Sequence, residues 1–588
     1  MPGRAVAVLV ALALTGGARA GAIFPIDRAS VLAGSRFDLK VEFDQVVPQK
    51  DIRVTVGGTA AETVFHKPGM WLEREDGKPV TSWVIQGVSL EKPGPVEVVA
   101  TGGGQTLRVH WDVYRTGPRK AKNVILFIGD GLTMAQRTAA RLLARGMEQG
   151  KYNGALAFED FPHTALLGTS GTDSIITDSA NSMSAYTTGH KTAVNAMGVY
   201  ASRAENDFEH PRVETVVELV KRRTGMAVGV VSDAEVQDAT PAAMVAHTRR
   251  RSRKAEITGN FLDDGVDVLL GGGRAWFLRA GTPESKRNDE LDPLARYRAA
   301  GYAYVATGAE LRTVAAGSDI RKLLGLFHPD NMDGALDRRS LGKGTVRQFP
   351  DQPDLTEMTR AALTVLARNK DGFVLMVEAA LIDKFAHRLD WERSVWDTIM
   401  LSNAVQVAKD FAAARNDTLI LVTADHTHGL SIVGTTEDGP GAPRDRIRTY
   451  AEAGFPDYPV PDRDGYPTRV DPKRRLAILF SDTPDHWDNG GPYLDGPAEP
   501  TVPAKDRKGW VPNPAEQKRP GAVLVQGNLP ATAEGGVHTM DDVVLDATGP
   551  GSERVHGFMD NTEVFRVMAE ALGLGQPTAR ARTPDARP

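Results

Sequence analysis

Five segments of this chain repeat one pattern: "NVILFIGDG", "GMAVGVVSD", "GVDVLLGGG", "FVLMVE" and "TLILVTADH" run apolar almost without a break, then end in polar residues or glycine. A strand with one wet face alternates apolar and polar residues, so a strand apolar at nearly every position has to be covered on both faces. Segments of helical period lie between them, among them "VETVVELVKRR", "LTEMTRAALTVLAR" and "WDTIMLSNAVQVAKDFAAA", and a further helix is expected over 133–143. Strands alternating with helices specify an α/β fold, with a central, mostly parallel sheet flanked by helices. Ligands of such sheets sit outside the carboxyl ends of the strands, which is where the polar endings fall.

Residues 22–115 have a different texture. "RFDLKVEFDQVV", "DIRVTVGG", "TSWVIQGV", "GPVEVVATGG" and "QTLRVHWDVY" are short, imperfectly alternating and separated by Gly, Pro and Asp turns, which predicts an N-terminal β-sandwich domain of immunoglobulin-like size. Its histidines, His66 and His110, are isolated and mark no site. "RTGPRKAKN" reads as the linker to an α/β domain over 120–575. From about 434 to 533 that domain turns rich in Pro, Gly, Asp and aromatic residues, expected as an ordered insertion of irregular loops, and 576–588 is expected as a flexible tail. Residues 1–20 combine a short basic start, an apolar run and Ala18-Arg19-Ala20, the pattern of a signal peptide, which predicts a periplasmic or secreted protein. No other segment is long and apolar enough to cross a membrane. A net charge of -5 with no long basic block gives nucleic-acid binding no electrostatic support. The chain has no cysteine, so any metal site has to be built from Asp, Glu, His and hydroxyls.

The polar strand endings supply such groups. Asp130 stands between two glycines, a position that a turn aspartate hydrogen-bonding its own backbone would also fill. "MVEAALIDKFAHRLD" offers Glu378, Asp383 and His387, the last two sharing one helix face. "LVTADHTHGL" delivers Asp425, His426 and His428 at the end of a buried strand, which is costly unless they are paired or metal-bound. His538 lies in the glycine-flanked "EGGVHTMDDV". Nitrogen and carboxylate ligands without sulfur suit zinc together with magnesium or manganese. A metal could activate a serine, and "TDSIITDSANSMSAYTTGHKTAVNAMGVY" holds Ser174, Ser179, Ser182 and Ser184. Ser179 is the best placed, at the start of a small-residue helix whose amides would favour an anion. It could equally be an N-cap worth about 1 kcal/mol, and the residues alone leave both readings open.

From about 123 to 574 the chain resembles the alkaline phosphatases of bacteria and animals, with "FIGDG", "TDSANSMSAYTTGHKTAVNAMGV", "VSDAEVQDATPAAMVAH", "VEAALIDKFAH", "TADHTHG" and "GGVHTMDDV" in the family order. The resemblance implies an alkaline phosphomonoesterase with two Zn2+ and one Mg2+. Ser179 would be the phosphorylated nucleophile; Asp383, His387 and His538 the ligands of one zinc; Asp130, Asp425 and His426 those of the other. Asp130 would also reach magnesium, alongside Thr240 and Glu378. Asp238 and Lys384 match positions near the magnesium and the phosphate, and His428 matches a residue that orients Asp383. The phosphate-clamping arginine falls on Arg251, with Arg249, Arg250 and Arg253 crowding the register. Small phosphate monoesters as substrates and a homodimer are implied in the same way.

The chain departs from the compact bacterial pattern in having no cysteine, an added N-terminal β-domain and a long insertion between His428 and His538. The insertion would roof the site or mediate dimerisation. Its Tyr458, Trp487, Tyr493 and Trp510 would serve as stacking surface or as core. A phosphodiesterase or nucleotide pyrophosphatase of the same superfamily is the nearest alternative; those commonly use threonine as nucleophile and lack the set of Thr240 and Glu378. A sulfatase motif is absent, and a non-catalytic secreted binding protein would have little use for this ligand set.

Overall fold

The structure, a computed structural model, describes residues 21–577, so the signal-peptide segment 1–20 and residues 578–588 of the expected tail lie outside it. The described chain divides into two compact units, one of residues 21–30 with 36–113, the other of Val31–Ser35 with Tyr114 onward.

All five strands expected in the smaller unit are present: Phe37–Phe43, Arg53–Val56, Thr81–Val88, Gly94–Gly102 and Gln105–Tyr114. Ala22–Phe24, Thr59–Ala60 and Met70–Leu72 join them, too short to show a period in sequence. Pairing is antiparallel throughout, in two sheets. The hairpin between the last two long strands turns at Gly103 and Gly104, whose φ values of 57° and 78° are the left-handed geometry that a two-residue turn requires. Phe37 of one sheet meets Trp111 of the other edge-on, ring centroids 5.5 Å apart, and both are buried.

The larger unit is built on a ten-stranded sheet. In chain order its strands are β1 (Asn123–Gly129), β2 (His163–Gly168), β3 (Ala227–Glu235), β4 (Val268–Gly272), β5 (Ala303–Val305), β6 (Leu323–Leu326), β7 (Phe373–Ala379), β8 (Thr418–Thr423), β9 (Val543–Thr548) and β10 (Gly557–Asp560). The spatial order is β5-β6-β4-β3-β7-β1-β8-β9-β2-β10. Only β9 runs antiparallel to its neighbours. Every residue of β1, β3, β4, β7 and β8 is buried, which is why these strands read as unbroken apolar runs. Each fully buried Val, Leu or Ile among them stabilises the fold by roughly 1.5–3 kcal/mol.

Helices cover the sheet. Met134–Arg145 starts at the Thr133–Gln136 capping box and Leu355–Leu366 at the Asp354–Glu357 box. Trp391–Ala413 is buried almost all round over its first half. β3, β7, β1 and β8 lie side by side with their carboxyl ends level: Glu378 pairs with both Ser232 and Ile128, and Ile128 with Thr423. Whatever follows these strands therefore converges.

Short antiparallel strands punctuate the loops of the insertion. Leu430–Glu437, Ile447–Thr449 and Arg474–Phe480 form a three-stranded sheet; His486–Asp488 pairs with Val523–Val525, and Thr501–Pro503 with Trp510–Pro512. At its base, Thr427–His428 pairs with His538–Thr539, so the chain leaves and returns at one rung. The Tyr458 hydroxyl accepts from the Leu476 amide at 3.3 Å, and Tyr493 lies under the Arg519 guanidinium at 4.0 Å.

Candidate metal centre

The level strand ends carry most of the acidic and imidazole groups singled out in the sequence. Asp130 follows β1, Glu378 closes β7, and the helix Leu381–His387 just beyond supplies Asp383, Lys384 and His387. Asp425, His426 and His428 follow β8, and β3 leads to Asp238 and Thr240 at the short helix Ala239–Ala242. His538 arrives from the far side of the insertion, paired to His428 through the backbone. Gly131 lets these segments close up: its φ is +66°, and a Cβ there would lie 2.8 Å from His428 Cδ2.

Two groups of ligand-type atoms result, each with its members within 4.8 Å of one another: Asp383, His387, His428 and His538, and Asp130, Asp425 and His426. His387 Nε2 and His538 Nε2 are 3.2 Å apart, and 3.2 Å and 3.6 Å from Asp383 Oδ1. In the second group His426 Nε2 is 3.2 Å from Asp130 Oδ1 and 3.4 Å from Asp425 Oδ2. His426 also stacks on His538, ring centroids 3.4 Å apart, so the groups adjoin.

The donor chemistry fits divalent cations. His387 Nδ1 lies 2.6 Å from the Gly536 carbonyl and His538 Nδ1 2.9 Å from the Thr177 carbonyl. Donating there places the proton on Nδ1 and turns the two Nε2 atoms toward one another, where a metal ion can sit or a proton be shared. Burial opposes charge on His538, but Asp383 outweighs it and lifts the group to about 8. The Gly131 and His426 amides donate to Asp425 Oδ1, while Asp425 Oδ2, Asp130 Oδ1 and Thr240 Oγ1 are buried with no hydrogen-bond partner among the described residues. Burial, with the charges of Asp383 and Asp425, pushes the Asp130 carboxyl up to about 7, the signature of acids crowded without a counter-ion. Burial, then the neighbouring His538, pushes His426 down to about 4, so its imidazole is neutral and able to coordinate. His428 Nε2 is 2.7 Å from Asp383 Oδ1, suited to orienting that carboxylate. Glu378 belongs to neither group; it accepts from Ser232 Oγ at 2.5 Å, and burial followed by the Asp130 charge pushes its carboxyl well up.

Ser179 Oγ lies 3.3 Å from His426 Nε2, beside both groups. Ser179 is the first residue of the helix Ser179–Thr188, and the N-cap is Asp178, in a capping box with Asn181. The Ser179 hydroxyl is therefore not occupied in capping. The other three serines are tied to backbone: Ser174 Oγ accepts from the Ile176 amide, Ser182 Oγ donates to the Asp425 carbonyl, and Ser184 Oγ accepts from the Gly198 amide.

Of the four crowded arginines, only Arg251 turns toward this helix, 3.3 Å from Asp178 Oδ2 and 2.8 Å from Asp238 Oδ1. Arg250 and Arg253 pair with Asp207, and Arg249 bonds the Val194 carbonyl. Lys384 Nζ reaches Asp238 Oδ2 at 3.0 Å and Asp383 Oδ2 at 3.4 Å. Burial opposes ionisation of Asp238, but Lys384 and Arg251 outweigh it and hold its carboxyl well below the usual range.

The sequence reading left Asp178, Ser232 and Asp233 without a role. Asp178 caps the serine helix and grips Arg251; Ser232 holds Glu378; Asp233 Oδ1 accepts from the Ala380 and Leu381 amides and so caps the helix bearing Asp383. The Asp-Ser step within "ITDSANS" was the signal for the first; the other two needed the sheet register.

Comparison with known proteins places these features in context. The alkaline phosphatase family model matches residues 121–574. The alkaline phosphatase of Escherichia coli K12 is 36% identical over 357 residues, 55% of this chain and 74% of its own length. That of Gadus morhua is 27% identical over 493 residues, covering 78% of this chain and 93% of its own. Among solved structures, Thermus thermophilus alkaline phosphatase superposes with a TM-score of 0.54 at 26% identity, over 78% of this chain and 93% of that one. The enzyme of the Antarctic bacterium TAB5 shares the fold with a TM-score of 0.52 at 21% identity, over 78% of this chain and 99% of its own.

Proposed function

The chain belongs to the alkaline phosphatase family, and from that membership and the geometry of its site we propose that it hydrolyses small phosphate monoesters through a phosphoserine formed on Ser179. In this reading Asp383, His387 and His538 hold one zinc, Asp130, Asp425 and His426 a second, and Asp130, Thr240 and Glu378 a magnesium. Bound there, the ions would supply Lewis acidity toward the serine hydroxyl, the leaving oxygen and water. One relative, a TAB5 variant, has been solved with magnesium bound.

The protein's own groups do the rest. Ser179 Oγ attacks phosphorus as the bond to the alcohol oxygen breaks; water then attacks the phosphoserine, returning the hydroxyl and releasing inorganic phosphate. Arg251, already aimed by Asp178 and Asp238, presents its fork to the phosphoryl oxygens, and Lys384 adds a second positive charge. The signal-like residues 1–20 support action outside the cytoplasm, and the family resemblance supports an alkaline optimum and a homodimer.

The observation that carries the reading is the uncapped Ser179 hydroxyl beside His426, at the junction of two cation-demanding groups. Protein loaded with zinc and magnesium, incubated with inorganic phosphate at mildly acidic pH, quenched and peptide-mapped, should carry one phosphoryl group on the Ser179 peptide. Ser179→Ala or prior chelation should remove that adduct, and Ser179→Ala should lower kcat/KM by about three orders of magnitude or more. Undiminished turnover in Ser179→Ala would mean that water attacks the ester directly and that the assignment is wrong.

A further inference from the structure

The helix Ser179–Thr188 is buried at every residue, yet six of its ten side chains carry a hydroxyl. A buried hydroxyl is costly without a partner, so where each one goes is informative. Thr188 Oγ1 turns back to the Ser184 carbonyl at 2.7 Å, the local bond that suits threonine within a helix. Ser184 Oγ accepts from the Gly198 amide and Thr187 Oγ1 donates to the Ala243 carbonyl, neither of which belongs to the segment after β8.

Ser179, Ser182 and Tyr186 remain. Their spacing of three and then four residues puts them on one helix face, and that face meets the residues just past β8 in turn. Tyr186 Oη donates to the Ala424 carbonyl at 2.6 Å, Ser182 Oγ donates to the Asp425 carbonyl at 2.7 Å, and Ser179 Oγ stands 3.3 Å from His426 Nε2. As the helix descends from 186 to 179, its partners climb from 424 to 426. The first two rungs are short and fully enclosed, with Tyr186 and Ser182 at 0% exposure. The third is long. Ser179 Oγ therefore takes its distance from the Asp130, Asp425 and His426 group from the placement of the helix, and the two short rungs tie that helix to the very segment bearing Asp425 and His426.

We propose that Ser182 and Tyr186 are positioning residues for phosphoryl transfer to Ser179, acting through the register of this hydroxyl ladder. The proposal rests on the reading of Ser179 as the nucleophile. A displacement of about 1 Å at a reacting group can cost about 100-fold in rate, so the loss of one rung should appear in the transfer step.

The test uses the full chain, metal-loaded. Ser182→Ala and Tyr186→Phe each delete one hydroxyl of the ladder. Ser184→Ala deletes the same atom from an equally buried serine of the same helix that faces Gly198, and serves as the control. Each protein is assayed for kcat/KM with 4-nitrophenyl phosphate, for the inhibition constant of inorganic phosphate, and for metal ions retained after gel filtration. In Ser182→Ala and in Tyr186→Phe, kcat/KM should fall about 10–100-fold, while the inhibition constant stays within about threefold of wild type. Ser184→Ala should stay within about threefold in both, and all should retain the wild-type number of ions, which certifies their fold. Wild-type kcat/KM in the two ladder variants, an equal fall in Ser184→Ala, or a fall that follows lost metal would overturn the proposal. Ser179→Ala, run alongside, separates the two levels. If it is inactive while the ladder variants keep wild-type rates, the ladder alone is wrong; if it turns over undiminished, the nucleophile assignment fails and the ladder falls with it.

Discussion

Arg251 is held by two carboxylates before any ligand arrives, and that grip is what would make it the clamp of the proposed reaction rather than a surface charge. Lysine keeps the charge but loses the fork, so Arg251→Lys should raise the inhibition constant of inorganic phosphate by about 10–100-fold, in line with about 1.5–3 kcal/mol for a charged hydrogen bond. Arg250→Lys, which alters a pair on Asp207, should leave it unchanged. His247 offers a prediction in pH. Burial alone would push its imidazole down, but Glu218 at 2.9 Å and the Gly198 carbonyl outweigh it and lift the group to about 8. Because the folded value lies above the unfolded one near 6.5, its stabilisation of about 2 kcal/mol is complete below pH 6.5 and disappears as pH climbs through 8. The Tm advantage of the wild type over His247→Gln should accordingly shrink by a few degrees between pH 6 and 9. At this scale the residues that the structure gathers into the two candidate ligand groups were legible in sequence, because Asp, Glu and His closing an apolar strand contradict their surroundings. Asp178 and Ser232 were not, because their partners Arg251 and Glu378 lie far along the chain.

The helix Leu381–His387 carries Asp383, Lys384 and His387 on two turns, yet its own N-cap, Ala380, has no side chain to close it. Asp233 closes it from the end of β3, accepting from the Ala380 amide at 2.7 Å and the Leu381 amide at 3.3 Å. Asp233→Ala should therefore loosen these candidate metal ligands as a set, speeding metal loss to a chelator by about 10–100-fold, in line with the affinity lost when outer supports of metal sites are removed. Asp233→Asn, which keeps an accepting oxygen, should retain most of the wild-type rate; equal rates in all three proteins would sink the capping role. Elements were legible to the degree that burial was complete. β1, β3, β7 and β8 announced themselves, whereas β2, with its mixed burial, and the three- and four-residue β5, β6 and β10 carried too little pattern. The antiparallel sense of β9 is set by where the insertion hands the chain back, which no local period records.

Across the whole molecule, the two ligand groups draw on segments from Asp130 to His538 and fold three carboxylates, Asp130, Asp383 and Asp425, into one buried region. Removing the proposed cations would leave those charges facing one another. Ions at a hundredfold excess over their dissociation constant add about 2.7 kcal/mol to the native state. Chelation should then lower the calorimetric transition of the larger unit by roughly 3 °C for each site emptied, reversibly on adding divalent cations. A transition of the smaller unit, whose residues include none of these ligands, should not move. A final consequence follows from the rung at which His428 and His538 meet. Since closing a longer loop costs only about 0.6 kcal/mol per doubling of its length, a lineage can expand, trim or replace what hangs between those histidines while the chemistry beneath is inherited intact. The same rung is a graft point for protein engineering, where a foreign recognition module could be spliced in beside a working catalyst.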